Sequence, residues 1–272
     1  MRNSKTNELV LTGLFTAIII IMAFTPLGYI PLVVINATII HIPVILGSLF
    51  CGPKKGAFLG FVFGFTSCLK ATIVGGTLSS FVFSPVLAAS LVGTSGIFKS
   101  LFIAFVPRIL VGVIPYFVYI GIKKVLASEK KNLWGTVLNV LMSVFLAFGV
   151  YAFLCKMSES LSQAAALGIG IAVGAVVFIV VEAVFIRKST QVIPFVYAGV
   201  AGAMTNTLLV MGSIFVLYKD AYADAIGVAG NAVLGVITGV ISFNGVIEAI
   251  VAAIIVYLVG LVLNTIKPIA AK

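Results

Sequence analysis

The chain has 272 residues, of which 62% are hydrophobic and only 9% charged, and its mean hydropathy is +1.29. A soluble domain of this length needs a far more charged surface, so the composition excludes a soluble protein and predicts an integral membrane protein. The formal charge of +10 does not indicate nucleic-acid binding, because the basic residues lie between apolar segments, where membrane proteins carry them.

The apolar residues fall in eight segments that are long enough to cross a membrane as helices, which takes about 20 residues each. We therefore predict an all-α fold, a polytopic transmembrane helix bundle that forms one domain over residues 1–272. The first segment has no A-x-A-like cleavage site after it, so we expect an uncleaved span rather than a signal peptide. The predicted spans are 8–26, 34–52, 54–72, 97–122, 133–155, 164–186, 192–217 and 243–265.

Basic residues cluster in alternate connections between these spans. If the N-terminus is cytoplasmic, 12 of the 17 Lys and Arg residues lie on the inner side, as the positive-inside rule requires. We therefore predict a multi-pass protein of the bacterial plasma membrane with both termini in the cytoplasm. The inner basic residues are Arg2, Lys5, Lys54, Lys55, Lys123, Lys124, Lys130, Lys131, Arg187, Lys188, Lys267 and Lys272.

The second and third spans are joined by a tight turn at Gly52 and Pro53. Glycine permits the left-handed backbone that ends a helix, and proline suits the first position of the next helix. Helical periodicity places a mostly polar set of second-span residues on one face. These residues are Thr38, His41, Ile45 and Ser48.

The third span has a small residue at every fourth position, namely Gly56, Gly60 and Gly64. These glycines share one helix face. Small residues let two helix backbones approach closely, which favours helix association within a membrane. We therefore expect a second helix to pack directly against this face.

Two outer connections are too long and too apolar to be plain loops. Residues 73–96 are nearly uncharged, and we expect them to fold back onto the outer end of the bundle as a lid or re-entrant segment. Residues 219–242 are rich in glycine and predict a second lid or a half-helix. Irregular backbone at this depth is tolerated where it is buried in protein or lines a cavity.

Residues 133–187 stand apart as a pair of spans with basic turns on both sides and no central polar cluster. We predict that they form a peripheral hairpin inserted into a core of residues 1–127 and 190–266. We expect Glu182, near the inner edge, to pair with Arg187 and Lys188.

Arg108 is the strongest candidate for ligand binding, because a charge within a span is costly and usually functional. It follows Pro107 about 11 residues into the fourth span. Its planar guanidinium suits a carboxylate, so we predict that it clamps an anionic ligand. The alternative is a structural pair with Glu248 or Glu182.

Further polar residues lie in the outer halves of the second, fourth, seventh and eighth spans and predict an outward-facing pocket for small polar solutes. Structural roles remain open for each: hydrogen bonding between helices or within the core, a helix start at Asn244, or a lysine reaching the interface. The remaining candidates for substrate binding are Asn206, Asn244, Glu248, His41, Asn36, Thr38 and Lys70.

The sequence predicts neither a metal site nor a cofactor. One histidine and three scattered cysteines do not make a metal-binding pattern. The P-loop pattern is also absent, since Pro53 occupies the lysine position after Gly47 and Gly52. We therefore expect that transport by this chain uses an ion gradient, runs passively or takes its energy from another subunit.

Several motifs resemble those of substrate-binding S components of energy-coupling-factor (ECF) vitamin transporters, most closely the pantothenate type. The resemblance covers about residues 1–125 and 192–265. The extra hairpin departs from the six-span pattern of these S components. The motifs are His41-Ile42-Pro43-Val44-Ile45, Gly52-Pro53-Lys54, Gly56, Phe63-Gly64, Ser67, Pro107-Arg108, Leu110-Val111-Gly112, Thr205-Asn206-Thr207, Asn244-Gly245 and Glu248-Ala249-Ile250.

The resemblance implies a protein, not an enzyme, that captures a vitamin outside the cell and docks on a transmembrane coupling subunit with two ATPase subunits. It then topples in the bilayer to release the vitamin inside. The family's docking surface corresponds here to Gly13 and Ala17, with Thr12 and Thr16 beside them. Pantothenate, with a carboxylate, an amide and two hydroxyls, suits one arginine among amide groups.

Two other functions fit the same residues. A stand-alone ion-coupled transporter would use Glu248 or Glu182 as a proton site. A membrane-embedded assembly or lipid-handling protein would use the polar residues only for structure. Dependence of uptake on an ATPase module tests the first alternative, and ligand-induced thermal stabilisation tests the second.

Overall fold

The computed structural model describes residues 2–31, 36–75, 77, 79–157, 161–188, 192–266 and 269. Over these residues the chain is an all-α helical bundle, which confirms the predicted fold class. Seven helical stretches in the described residues are long and apolar enough to cross a membrane. The helices are α1 (Arg2–Phe24), α2 (His41–Cys51), α3 (Pro53–Ile73), α4 (Pro85–Val92), α5 (Thr94–Val111), α6 (Ile114–Leu126), α7 (Lys131–Met157), α8 (Gln163–Lys188), α9 (Val192–Ile226), α10 (Val233–Val240) and α11 (Val246–Ile266).

The second predicted span is shorter than expected. Only its second half is helical, as α2, and 11 residues extend about 16 Å, half of the hydrocarbon thickness. Before α2 the chain forms a small antiparallel pair of strands, β1 (Tyr29–Pro31) and β2 (Asn36–Thr38). Pro43 marks the start of the helix, because proline lacks an N–H and is tolerated in the first turn.

α2 is the central helix of the bundle. Its residues from His41 to Phe50 are all buried, and it contacts α1, α3, α6, α9 and α11. An apolar segment that is buried all round belongs to the core rather than to the lipid-facing surface. This central position explains why a helix too short to cross the membrane alone is still strongly apolar.

The predicted close approach at the third span is confirmed. The glycines of α3 face the last turns of α5, and a Cβ atom added to Gly56 or Gly60 would collide with the carbonyl oxygen of Gly112 or Arg108. A Cβ atom on Gly64 would lie 2.6 Å from the carbonyl oxygen of Ala104. The glycines thus let α3 approach the segment of α5 that carries Arg108.

The described residues of the segment 73–96 fold back onto the bundle, as the sequence predicts. A 3-10 turn at Ser80–Val82 and the short helix α4 lie in this segment. The ring of Phe81 packs edge-on against Tyr218, with their centroids 5.3 Å apart. The Tyr218 hydroxyl donates a hydrogen bond of 2.7 Å to the carbonyl oxygen of Gly96, which fastens the segment to α9.

Residues 219–242, for which we predicted a second lid or a half-helix, are mostly helical. α9 continues through a kink at Tyr218 as far as Ile226, and the eight-residue helix α10 follows. A π-helical turn at Ile241–Gly245 then joins α10 to α11. π-helical turns are rare in proteins, and those that occur often lie at functional sites.

α7 and α8 form a helical hairpin that contains a polar cluster, which the sequence analysis did not predict. The carboxylate of Glu182 accepts hydrogen bonds from the Thr136 hydroxyl at 2.6 Å and the Asn139 amide at 2.5 Å. Glu182 is therefore bound by the facing helix. Its predicted partners, the side chains of Arg187 and Lys188, lie outside the described residues, and the insertion of the hairpin into a separate core stays a prediction.

Candidate ligand-binding site

A cavity of about 310 Å³ lies at one end of the bundle, between α3, α5 and α9. This volume is at the lower end of the range of about 300–1,000 Å³ for small-molecule sites. β2 and the segment that follows α3 complete the wall. The lining residues are Thr38, Phe63, Ser67, Lys70, Ala71, Gly75, Thr77, Ser80, Phe83, Arg108 and Asn206.

Arg108 lines this cavity, and its side chain is only 6% exposed. The guanidinium carbon lies 4.6 Å from the ring centre of Phe83 and 5.5 Å from that of Phe63. The Nη1 atom donates a 2.6 Å hydrogen bond to the carbonyl oxygen of Ile103. Two aromatic rings and a backbone carbonyl therefore hold a buried cation at the cavity wall.

Lys70 brings a second positive charge to the cavity wall. Its Nζ atom donates a 2.9 Å hydrogen bond to the carbonyl oxygen of Ala23, in the last turn of α1. A cation at this position stabilises a helix C-terminus, where carbonyl groups lack helical partners. The lysine thus has a structural role at α1 as well as a place in the cavity.

Asn206 is the polar group of α9 at the cavity wall. Its side chain is 8% exposed, and its Oδ1 atom has no hydrogen-bond partner within the described parts of the chain. A buried amide oxygen without a donor is costly, which favours a bound molecule that supplies one.

Glu248 is not part of the cavity lining. Its buried carboxylate accepts a 2.8 Å hydrogen bond from the backbone N–H of Thr38 and another of 2.8 Å from the Thr207 hydroxyl. It also interacts electrostatically with Arg108. Both carboxylate oxygens thus bind protein groups, and the side chain fastens β2, which supplies part of the wall, to α9 and α11.

His41 and Asn244 are buried, and neither lines the cavity. Both ring nitrogens of His41 and the Oδ1 atom of Asn244 lack hydrogen-bond partners among the residues described. α2 and α9 are in contact where Ile45 meets Gly202. His41 and Asn206 each lie one helical turn from this contact, so they are at a similar depth in the bundle. Asn36 belongs to β2, but its side chain lies outside the described residues.

The comparisons with known proteins agree with a site for a transported ligand. Residues 7–186 match the family model of the ECF transporter, substrate-specific component. The chain belongs to this family of S components. It is therefore a multi-pass membrane transport protein and not an enzyme. The matched region includes α7 and all but the last two residues of α8.

Two relatives carry names that refer to transport. The pantothenic acid transporter PanT of Lactococcus lactis subsp. cremoris is 42% identical over 161 residues, which are 55% of this chain and 78% of the relative. The pantothenate transporter PanT of Leuconostoc mesenteroides subsp. mesenteroides is 27% identical over 277 residues, which cover 100% of this chain and 98% of the relative.

Sequence reasoning missed several residues of the S component's cavity wall. Ser67 and Ala71 continue the small-residue face of Gly60 and Gly64 by helical spacing, so the pattern contained a signal for them. Phe83 had no such signal, because its contact with Arg108 depends on how residues 73–96 fold. The other missed residues are Phe63, Gly75, Thr77 and Ser80.

The predicted docking residues of the S component lie on the surface of α1. Gly13 and Ala17 are exposed, and the space beside Gly13 is open. The hydroxyl groups of Thr12 and Thr16 donate to carbonyl oxygens one turn earlier in the same helix, at 2.7 and 2.8 Å. With these hydroxyls satisfied, none of the four residues carries a polar side-chain group that needs a partner.

Proposed function

We propose that this S component binds pantothenate in the cavity and passes it to an energy-coupling module for import. The observation that carries the proposal is one small cavity with Arg108 and Lys70 on its wall and the buried oxygen of Asn206 in need of a donor. Pantothenate offers an anionic carboxylate and hydroxyl donors. The names of the two relatives support the same ligand.

The ligand's carboxylate contacts Arg108, because guanidinium groups form paired, charge-assisted hydrogen bonds with carboxylates. A hydroxyl of the ligand donates to Asn206 Oδ1. Phe63 and Phe83 supply apolar contact area beside the arginine. The anionic carboxylate at one point of the molecule and a hydroxyl donor at another orient it within the cavity of about 310 Å³.

Transport is powered by a coupling subunit with two ATPase subunits, which docks against Gly13 and Ala17 of α1. Two observations support this partnership: membership of the S component family and the exposure of the small residues on α1. The small residues allow a partner helix to approach closely. The family membership favours this arrangement over stand-alone ion-coupled transport.

The cavity end of the bundle faces outward, and both termini lie in the cytoplasm. Lys54 and Lys55 begin α3 at the opposite end, whereas Lys70, near the end of the same helix, lines the cavity. Lys123 also lies at the opposite end, where its Nζ atom is 3.5 Å from the carbonyl oxygen of Ile269 near the C-terminus. Basic residues at the non-cavity end support this orientation.

We expect Glu248→Ala to weaken pantothenate binding about tenfold, since the change removes both hydrogen bonds that fasten β2 beside the cavity. Glu248→Gln keeps an acceptor for the Thr38 N–H and should bind more tightly than the alanine variant. Calorimetric titration of both purified variants measures the difference. Equal affinity of Glu248→Ala and the unmodified protein would disprove the fastening role.

The proposed function is tested by mass spectrometry of small molecules that copurify with the protein, together with melting curves in a panel of vitamins. We expect pantothenate to copurify and to raise the melting temperature, whereas thiamine and biotin have no effect. A different vitamin with these properties, or none at all, overturns the assignment. Uptake that needs no ATPase module and collapses with the proton gradient would instead support the ion-coupled alternative.

A further inference from the structure

Pro107 has an unusual position among the prolines of the described helices. Pro107 is the fourteenth residue of α5, whereas the other prolines lie in the first three positions of their helices, where a missing N–H is tolerated. A proline inside a helix removes a hydrogen bond and commonly costs about 3 kcal/mol. Its place directly before Arg108 therefore calls for a specific reason. The helix-starting prolines are Pro43, Pro53, Pro85, Pro115 and Pro194.

The missing N–H of Pro107 affects one particular carbonyl group. In an α-helix the N–H of each residue donates to the carbonyl oxygen four residues earlier, which for Pro107 is that of Ile103. Ile103 is fully buried, so water does not replace the lost donor. A buried carbonyl without a partner is costly, and native structures rarely contain one.

Arg108 supplies the replacement donor. Its Nη1 atom lies 2.6 Å from the Ile103 carbonyl oxygen, a short, charge-assisted hydrogen bond. The side chain thereby folds back along its own helix, which places the guanidinium between the rings of Phe63 and Phe83 at the cavity wall. Pro107 thus removes a hydrogen-bond donor, and Arg108, the next residue in the chain, replaces it.

We propose that Pro107 is a positioning residue for the ligand's carboxylate. Because Pro107 has no N–H, the Ile103 carbonyl oxygen is left to accept a hydrogen bond from Arg108. This bond is the anchor that holds the guanidinium at the cavity wall. With alanine at position 107, the new amide pairs with this oxygen and directs it along the helix axis, so the arginine loses its anchor. The inference rests on the proposed function, because it requires Arg108 to contact the ligand.

The first test compares two ligands: pantothenate and its alcohol analogue, in which a CH₂OH group replaces the carboxylate. We expect Pro107→Ala to weaken pantothenate binding about tenfold, which corresponds to the loss of one charge-assisted hydrogen bond. The affinity for the analogue should not change. Pro115→Ala, a change in the first turn of α6, is the matched control and should alter neither affinity. An equal loss for both ligands, or no loss, overturns the inference.

A double-mutant cycle shows whether Pro107 acts through Arg108. If it does, adding Pro107→Ala to Arg108→Ala produces no further loss of pantothenate affinity. Full additivity of the two losses contradicts the proposal. If Arg108→Ala does not fold, Arg108→Met replaces it and retains packing between the two rings.

A ligand-free measurement separates this inference from the identity of the vitamin. In the unmodified protein, Arg108→Ala leaves the Ile103 carbonyl without its donor, whereas in Pro107→Ala the backbone amide supplies one. We therefore expect Arg108→Ala to lower the melting temperature less in the Pro107→Ala background than alone. Equal shifts overturn the inference. If the unmodified protein binds no pantothenate, the proposed ligand is wrong, and the melting temperatures still test the anchor.

Discussion

Arg108→Ala is expected to weaken pantothenate binding by about 2–5 kcal/mol, the usual cost of removing one partner from a buried, hydrogen-bonded charge pair. The loss is large because Arg108 is almost fully buried, so the protein shields much of the charge pair from water. Arg108→Lys should bind with intermediate affinity, since lysine keeps the charge but lacks the planar fork. Titration calorimetry of the purified variants gives the three affinities.

Lys219→Ala is the matched control for this prediction. Lys219 is an exposed cation beyond the Tyr218 kink, beside the ring of Phe215, so its replacement removes the same charge without touching the cavity. We expect its pantothenate affinity to equal that of the unmodified protein. Unchanged affinity of a folded Arg108→Ala variant would rule out the arginine as the carboxylate clamp.

Gly13→Leu and Ala17→Leu are expected to leave pantothenate binding intact and to reduce uptake to below about a tenth. Leucine adds a bulky side chain to the exposed face of α1 and prevents the close helix approach that small residues allow. Binding is spared because both residues face away from the bundle core. Radiolabelled uptake in vesicles that contain the coupling module, with calorimetry of the same variants, separates the two effects.

Gly168→Leu on α8 is the control for the docking prediction. Gly168 is also an exposed helical glycine with open space beside it, but it lies on the α7–α8 hairpin. We expect normal uptake from this variant. The docking role of α1 is contradicted if Gly168→Leu abolishes uptake as strongly as the α1 variants, or if the α1 variants lose binding and uptake together.

The sequence predicts much of this fold because hydropathy and helix geometry are local properties. Apolar length gives the long spans, and the four-residue spacing of Gly56, Gly60 and Gly64 predicts a close helix contact that α5 makes in the structure. The limits of α2 are less predictable, since its apolar character reflects burial by surrounding helices. Pro43 was the one local sign that the helix begins late.

The cavity could be predicted only in part. Rare polar residues within apolar spans drew attention to Arg108 and Asn206, and both line the cavity. Glu248 was predicted to contact the ligand, which stays a prediction, and no sequence pattern indicated that its oxygens accept hydrogen bonds from Thr38 and Thr207. Hydrogen bonds between residues about 40 or 210 positions apart depend on tertiary packing, which no local pattern contains.

The Glu182 cluster illustrates the same limit in a different place. Sequence proximity suggested the neighbouring basic residues as partners, and that pairing stays a prediction. The structure brings Thr136 and Asn139 to this carboxylate from the facing helix, which sequence proximity did not indicate. A half-buried acid accepts hydrogen bonds from the donors that packing brings to it, and helix pairing brings donors from far along the chain. Such choices become predictable only once the helices that face each other are known.

The most direct test of the account is an experimental structure of this protein with pantothenate bound. We expect the ligand in the cavity between α3, α5 and α9, with its carboxylate about 2.7–2.9 Å from the Arg108 guanidinium and a hydroxyl within hydrogen-bonding distance of Asn206 Oδ1. A ligand bound elsewhere, or a carboxylate directed away from Arg108, would contradict the account.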